Sequence, residues 1–351
     1  MRLIVTGGAG FIGSSLAFRA LKEGHEVLTI DKLTYASRPE TLSQLSSASN
    51  HEFLRAGIED AAAMNAAFEK FEPDAVLHLA AESHVDRSID GPEAFIKTNI
   101  NGTFVLLEAA FRYWSHLSGS RQENFLFLHV STDEVFGALG EHGSFSLGSP
   151  YVPSSPYAAS KAAGDHLARA WQRTYGLPLV VTNCSNNYGP RQHPEKLIPT
   201  VIRHALARER IPIYGTGNNV RDWLYVDDHV VGLLAAIQNR RPGETFLFGG
   251  RCEVRNIDLA RLICQLLDQR VPLPSKRSYA EQIEFVVDRP GHDLRYSIDP
   301  SHAEAVLSWK ATESLESGLK KTIEWYLANP NWLVSGKILG RLGQRPLKTL
   351  D

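Results

Sequence analysis

Close to its start the chain carries the run Thr6-Gly7-Gly8-Ala9-Gly10-Phe11-Ile12-Gly13, which restricts what it can fold into more than any later stretch. The run follows an apolar segment, Leu3-Ile4-Val5, and opens an amphipathic segment of helical length. It satisfies both the GxGxxG pattern and the wider Gly7, Gly10, Gly13 spacing. Glycines here permit a tight turn and close backbone approach, while a helix N-terminus offers free N–H groups and partial positive charge. Strand, glycine turn and helix start in that order suit the pyrophosphate of a dinucleotide.

Short apolar runs then alternate with helix-length segments: Leu3 to Thr6, Glu26 to Ile30, Phe53 to Ala56, Ala75 to Ala81, Phe125 to Ser131 and Leu179 to Asn183. This rhythm predicts an α/β fold with a doubly wound parallel Rossmann sheet, covered on both faces, over residues 1–185. Beyond Asn186, Pro and Gly punctuate more often, at Tyr188-Gly189-Pro190, Gly215-Thr216-Gly217 and Arg289-Pro290-Gly291. A smaller, loop-rich C-terminal substrate domain is expected over 186–351, with the chain returning to the first domain around 219–250. Glu93 to Tyr113 and Tyr157 to Tyr175 read as long helices with apolar residues on more than one side. Lys337 to Asp351 lacks periodicity and reads as a frayed tail.

With 37 basic and 39 acidic residues scattered along the chain, the net charge of −2 points away from nucleic acid and anionic membranes as partners. Cys184, Cys252 and Cys264 lie far apart without CxxC spacing, which argues against disulfides and a metal site. No apolar run reaches bilayer-spanning length, and a strand pattern begins at once, leaving no room for a signal peptide. The expectation is a soluble, cytoplasmic protein with a small ligand.

Asp31 ends the second apolar run, 21 positions after Gly10, where a carboxylate accepts hydrogen bonds from ribose hydroxyls. Its charge repels a 2′-phosphate and so favours NAD over NADP, with Lys32 next door working against that preference. Tyr157 and Lys161, four residues apart on a predicted helix, share one face. A phenol with an ordinary pKa of about 10 becomes a base near neutrality only beside a cation, which Lys161 supplies. That pair suits alcohol oxidation. At the carboxyl end of a predicted strand stand Ser131-Thr132-Asp133-Glu134, where ligands bind in open α/β sheets. Adjacent carboxyls in a partly dry site separate into an acid and a base, which is what elimination of water from a sugar demands.

At these residues the sequence resembles the dTDP-glucose 4,6-dehydratases, within the NAD-dependent epimerase/dehydratase family of the extended short-chain dehydrogenase/reductase superfamily. The resemblance runs from Met1 to about Leu333 and includes Asp31-Lys32-Leu33-Thr34-Tyr35, Ala80-Ala81-Glu82-Ser83-His84-Val85-Asp86, Asn186-Asn187-Tyr188-Gly189-Pro190, Pro194-Glu195-Lys196-Leu197-Ile198-Pro199, Val220-Arg221-Asp222-Trp223 and Asp288-Arg289-Pro290-Gly291-His292-Asp293. It implies conversion of dTDP-glucose to a 4-keto-6-deoxy sugar, with hydride leaving C4 for NAD and returning to C6. Tyr157 and Thr132 would act at the C4 hydroxyl, Glu134 at the C5 hydrogen and Asp133 at the C6 hydroxyl.

The resemblance further implies a cofactor site of Gly7, Gly10, Phe11, Ile12, Gly13, Asp31, Lys32, Leu33, Thr34, Ile58, Leu79, Ala80, Ala81, Ser83, Thr98, Tyr157, Lys161 and Asn187. Ser83 and Asn186 fall to the sugar, and Lys196, Leu197, Pro212, Ile213, Tyr214, Arg221, Asn256, Arg289 and His292 to the nucleotide diphosphate. A homodimer through a four-helix bundle is also implied. There are two departures. Gly57 stands where the family carries an acidic residue before Ile58, which implies a backbone-only adenine contact, and Arg191-Gln192-His193 replaces a loop that begins with an aromatic. A UDP-sugar 4,6-dehydratase, a 4-epimerase and a non-catalytic NAD-binding sensor remain open alternatives at this point.

Overall fold

The computed structural model describes residues 1–333, so the expected tail, 337–351, lies outside the described residues. The strands are β1 (Arg2–Thr6), β2 (Glu26–Asp31), β3 (His51–Arg55), β4 (Ala75–His78), β5 (Leu126–Thr132) and β6 (Leu179–Cys184). They continue with β7 (Asn186–Tyr188), β8 (Ile211–Tyr214), β9 (Val220–Tyr225), β10 (Thr245–Phe248), β11 (Glu253–Arg255) and β12 (Ile283–Val286). Seven of them form one parallel sheet in the order β10-β6-β5-β4-β1-β2-β3.

Alternation along β1 explains why both sheet faces are covered. Leu3 and Val5 join Leu77, Leu128 and Val180 against the helices Phe11–Lys22 and Val226–Asn239. Ile4 joins Val76, Phe127 and Val181 on the other face, against Ala61–Phe71 and Thr103–Ser115. Each such side chain, fully buried, contributes about 1.5–3 kcal/mol of transfer free energy.

The order of strands reverses between β1 and β4, and the crevice outside their carboxyl ends is where an open α/β sheet takes its ligand. The run expected as a strand from Ala75 to Ala81 stops at His78 for a reason located there. The N–H groups of Leu79 and Ala80 turn to the Thr6 side-chain oxygen, at 3.2 and 3.1 Å, which swings the chain across the glycine turn.

The helix expected from Glu93 to Tyr113 differs from a regular one. It runs as a short α turn (Glu93–Phe95), a π-helical stretch (Ile96–Gly102) and an α-helix (Thr103–Ser115). The widened turn carries Asn99, whose side chain accepts from the Glu82 N–H at 2.9 Å and donates to the Glu82 carbonyl at 3.0 Å and to Ser160 Oγ at 2.9 Å. Such π segments commonly sit at functional sites.

Beyond β6 the chain builds a three-stranded sheet, β11-β9-β7, and a parallel β8–β12 pair. Tyr188, Ile202, Trp223, Ile263, Leu319 and Tyr326 form the core of this region. The main sheet meanwhile regains β10 beside β6.

Two glycines of the first turn have no room for a side chain. A Cβ on Gly13 would lie 2.2 Å from the Gly7 carbonyl oxygen, and one on Gly7, whose φ is +70°, would lie 2.8 Å from the Ala80 backbone. Gly13→Ala is therefore expected to cost about 3 kcal/mol of stability, read from urea unfolding. A midpoint unchanged from the parent would mean that the turn yields.

Candidate functional site

A cavity of about 290 Å³ follows the carboxyl ends of the strands from β3 to β6. Gly7, Gly10, Phe11, Ile12 and Gly13 line its middle, and no side chain caps the N-terminus of the helix they open. Asp31, Lys32, Thr34 and Ile58 line one side, with Leu79, Ala80, Ala81, Ser83, Thr98 and Asn187 elsewhere on the wall. Leu33 is the exception among the expected cofactor residues: it does not line this cavity, and its N–H bonds Asp31 Oδ1 at 2.8 Å.

Asp31 is buried, and its carboxylate also accepts from the Ala9 N–H at 3.1 Å and the Ser37 hydroxyl at 2.9 Å. These bonds fix the second βα loop against the glycine turn. Lys32 is not free: its Nζ donates to Thr98 Oγ1 at 2.8 Å and lies 3.4 Å from the Glu82 carboxylate. The opposition to NAD expected from this lysine is thereby reduced.

At the other side of the cavity stand Thr132, Asp133 and Glu134, at the end of β5, with Tyr157 and Lys161 in the first turns of the helix Pro156–Tyr175. Pro156 in the first turn and the Ser155 side chain, which accepts the Ala158 N–H at 3.1 Å, start that helix at this point. Lys161 Nζ, almost wholly buried, donates to the Val130 carbonyl at 2.8 Å. The Thr132 hydroxyl donates to Asp133 Oδ1 at 3.1 Å, while Asp133 Oδ2 is buried without a partner.

Burial and the neighbouring Glu134 push Asp133 up to about 8, so it holds a proton at neutrality. Burial leaves Glu134 above its ordinary value too, with Arg289, Lys196 and Arg221 limiting the rise. Tyr157 is held well above its ordinary value by burial and by Glu134, with a hydrogen bond involving Thr132 acting the other way. Its phenolate therefore needs more positive charge than the sequence reading assumed.

Behind the lysine lies an ionised carboxylate that the sequence reading missed. Asp165, one helical turn past Lys161 and wholly buried, accepts from His129 Nε2 at 3.1 Å, the Tyr151 hydroxyl at 2.8 Å and Asn183 Nδ2 at 3.3 Å. Burial opposes its charge, but His129 and Lys161 keep its pKa below the ordinary value. Burial likewise lowers Lys161, and Asp165 counters that. His129 and Asp165 are 36 positions apart, so spacing gave no signal of them.

A second cavity, about 180 Å³, shares Glu134, Asn186, Asn187, Gln192 and Lys196 with the first. Leu197, Pro212, Ile213, Tyr214, Arg221, Asn256, Arg289 and His292 all line it. Arg221 is buried over the Tyr296 ring and donates to the carbonyls of Val220 and Asp293. His292 does bond the turn residue Asp288, at 2.7 Å. Asp86, given no role from sequence, accepts from Tyr214 at 3.0 Å and Arg289 at 3.2 Å and so sets both side chains. Its place inside the matched stretch ending at Asp86 was the available signal.

In the divergent loop, Arg191 lies over the Phe18 and Trp325 rings and lines neither cavity, whereas Gln192 and His193 both line the first. Among the described residues no group of His, Cys, Asp and Glu could hold a metal ion, and no helix is long and apolar enough to cross a membrane.

The family model described as GDP-mannose 4,6 dehydratase matches residues 4–322. A probable dTDP-glucose 4,6-dehydratase of Sinorhizobium fredii (strain NBRC 101917 / NGR234) is 56% identical over 349 residues, 97% of this chain and 99% of the relative. The dTDP-glucose 4,6-dehydratase DesIV of Streptomyces venezuelae, solved with NAD bound, matches with a TM-score of 0.84 at 41% identity over 95% of this chain and 98% of its own. The UDP-glucose 4-epimerase of Thermotoga maritima, solved with UDP-glucose, reaches 0.83 at 30% identity over 94% and 100%. Fold likeness is thus nearly equal for a dehydratase and an epimerase, and the side chains must discriminate.

The Asp133 pKa makes a prediction about stability. The folded chain keeps a proton on Asp133 up to about pH 8, whereas the unfolded chain releases it near 3.8, so parent stability falls as pH rises through that window. Asp133→Asn removes this contribution. Its stability should match the parent near the acid end and exceed it by on the order of 2 kcal/mol above about pH 8. Melting curves across pH check this; a gain that does not grow with pH would refute it.

Proposed function

The chain belongs to the GDP-mannose 4,6 dehydratase family, and we propose that it converts dTDP-glucose to dTDP-4-keto-6-deoxyglucose and water with NAD as a regenerated cofactor. The observation that carries this reading is the pair Asp133 and Glu134, held in unlike environments beside Tyr157 where the two cavities meet. Plain oxidation needs no such pair.

The residues present fit NAD. The turn leaves no space at Gly7 and Gly13 but gives close backbone approach, the helix N-terminus is uncapped, Asp31 repels a 2′-phosphate and Lys32 is engaged with Thr98 and Glu82. When bound, NAD supplies a positively charged ring that accepts hydride from C4 of the sugar and later returns it to C6. Lys161, kept charged by Asp165, adds to the positive charge that favours the Tyr157 phenolate. Tyr157 takes the proton of the C4 hydroxyl, with Thr132 bonding the same oxygen. The 4-keto group acidifies the C5 hydrogen, which Glu134 removes. Asp133, protonated at neutrality, gives its proton to the C6 hydroxyl and water leaves, and the proton taken by Glu134 goes back to C5 as hydride returns to C6.

Arg221, Arg289 and Lys196 neutralise the diphosphate, and Leu197, Pro212, Ile213, Tyr214, Asn256 and His292 enclose the nucleoside. Residues 1–185, with Val226–Asn239 and Thr245–Phe248 returning to their sheet, carry NAD, and the rest of 186–333, Arg221 included, carries the nucleotide sugar. Exposed Phe104 and Tyr175, with Phe104 against Trp171 and Phe111 against Tyr175, give the helices Thr103–Ser115 and Pro156–Tyr175 an apolar aromatic face, which exposed Ile96 extends onto the π-helical stretch. That face supports a homodimer closed by a four-helix bundle, and the protein works in the cytoplasm.

Nucleotide sugars offered to the protein and followed by mass spectrometry test the reading: dTDP-glucose should lose one water. An epimer of unchanged mass would replace dehydration by 4-epimerisation, and NAD retention without any product would leave a sensor. Glu134→Gln should still pass hydride to the cofactor, seen as nicotinamide absorbance, but lose dehydration by about 100-fold or more. Unimpaired water loss would remove Glu134 from its role. Tyr157→Phe should lower the first oxidation by at least about 100-fold while NAD stays bound, and near-parent turnover would mean another base.

A further inference from the structure

Gly57 implied that the cofactor's adenine meets only backbone at the end of β3. The side chains say otherwise. A Cβ built on Gly57 would lie 2.5, 2.7 and 2.9 Å from Oε2, Cδ and Oε1 of Glu59. The Glu59 carboxylate therefore fills the space that a side chain at position 57 would take.

Strand order identifies what this space faces. Tyr157 and Lys161 stand beside β5, the glycine turn follows β1, Asp31 ends β2 and Ala56 to Glu59 follow β3 at the sheet edge. A dinucleotide with its reacting ring at Tyr157 and its diphosphate at the glycine turn reaches Asp31 with its second ribose. Its second base then lies along the wall made by Ile58 and Glu59.

That wall is rigid and has one unmet need. Ile58 is buried, and a Cβ on Gly102 of the π-helical stretch would touch its side chain at 2.7 Å, so the apolar floor is held from behind. Glu59 Oε2, on the cavity wall, is buried with no hydrogen-bond partner. A buried carboxylate oxygen without a donor is costly, and an N–H from a bound base would meet it.

We propose that Glu59 accepts a hydrogen bond from the exocyclic amino group of the cofactor's adenine, so that it selects adenine over bases bearing a carbonyl at that carbon. An inosine-type base would set a carbonyl oxygen against the carboxylate and lose the bond. The inference rests on the NAD reading of the first cavity.

Retention is the direct test. The full chain is equilibrated with equal amounts of NAD and nicotinamide hypoxanthine dinucleotide, and the nucleotide that stays bound is released and separated by chromatography. The parent should favour NAD by about tenfold or more, and Glu59→Ala should erase most of that preference. Gly57→Asp alone drives a second carboxyl into Glu59 and should weaken NAD retention, whereas Gly57→Asp combined with Glu59→Ala should restore both retention and preference. A parent preference that Glu59→Ala leaves unchanged overturns this inference and spares the cofactor reading. A parent that retains neither dinucleotide overturns both.

Discussion

From the glycine turn to the catalytic helix the buried polar groups form one unbroken run of hydrogen bonds, and the spacing of the two halves of the site depends on it. Thr6 meets His78 Nδ1 at 2.9 Å, His78 Nε2 meets Thr103 Oγ1 at 3.0 Å and the Thr103 hydroxyl donates to the Asn99 carbonyl at 2.7 Å. Asn99 donates to Ser160 Oγ at 2.9 Å, and Ser160 donates to the Tyr157 carbonyl at 2.7 Å. Only one proton arrangement satisfies every member. A carbonyl can only accept, so Thr103 donates to Asn99, His78 donates from Nε2 and Thr6 donates to Nδ1. His78 must then be neutral, which agrees with burial holding its pKa far below the ordinary value. Breaking such a run strands a buried partner at about 1–3 kcal/mol. The π-helical stretch belongs to this logic, because Asn99 works from both its backbone and its side chain within one turn.

The charges of the site follow a second constraint. Asp133, Lys161 and Asp165 are all buried, and an unpaired buried ion is expensive. The fold resolves this differently for each. Asp165 stays ionised because three donors surround it, and Lys161 has Asp165 and the Val130 carbonyl. Asp133 has a single hydroxyl and a buried bare oxygen, so it keeps its proton instead. The same poverty of partners that destabilises this carboxylate makes it an acid at neutral pH, and stability is given up where proton transfer is proposed.

What the sequence disclosed was what is local. The glycine spacing, the strand rhythm and the Tyr157–Lys161 turn are set by neighbours a few residues apart, and apart from the run Ala75 to Ala81, which ends three residues early at His78, they stand in the fold within two residues of their expected places. The nucleotide-sugar residues came only through resemblance, since nothing in the periodicity joins Asp86 to Tyr214 and Arg289. The π-helical stretch escaped because widening one turn leaves the apolar pattern of Glu93 to Tyr113 nearly unchanged. His129, Tyr151, Asn183 and Asp165 escaped because the β5–β6 pairing and the helix above it bring them together. Gly57 was read as the loss of a side chain, although the chain recovers its volume two residues later through Glu59, a geometry that no count of positions contains.

The divergent loop completes the site in a way that separates its residues by task. Gln192 donates to the Asn187 carbonyl at 2.8 Å and accepts from the Tyr326 hydroxyl at 2.7 Å through its own backbone, so it fastens the shared wall of the cavities to the second core. His193 reaches the Tyr35 carbonyl at 3.2 Å, and Glu195 takes Arg87 at 2.6 Å and His84 at 3.2 Å, with Arg87 lying 3.5 Å over the Tyr35 ring. Glu195 is thus a buried anion whose donors come from His84 and from Arg87 on the short helix Val85–Asp90 that follows β4, while His193 and Arg87 both lean on the loop after β2. Arg191 takes no part in this: at φ +69° it turns onto Phe18 and Trp325. The loop's change of residues therefore acts on how the second region is pinned over the cofactor cavity, and of the groups proposed to meet the diphosphate and the sugar only Lys196, whose N–H donates to the His193 carbonyl at 3.0 Å, shares this loop.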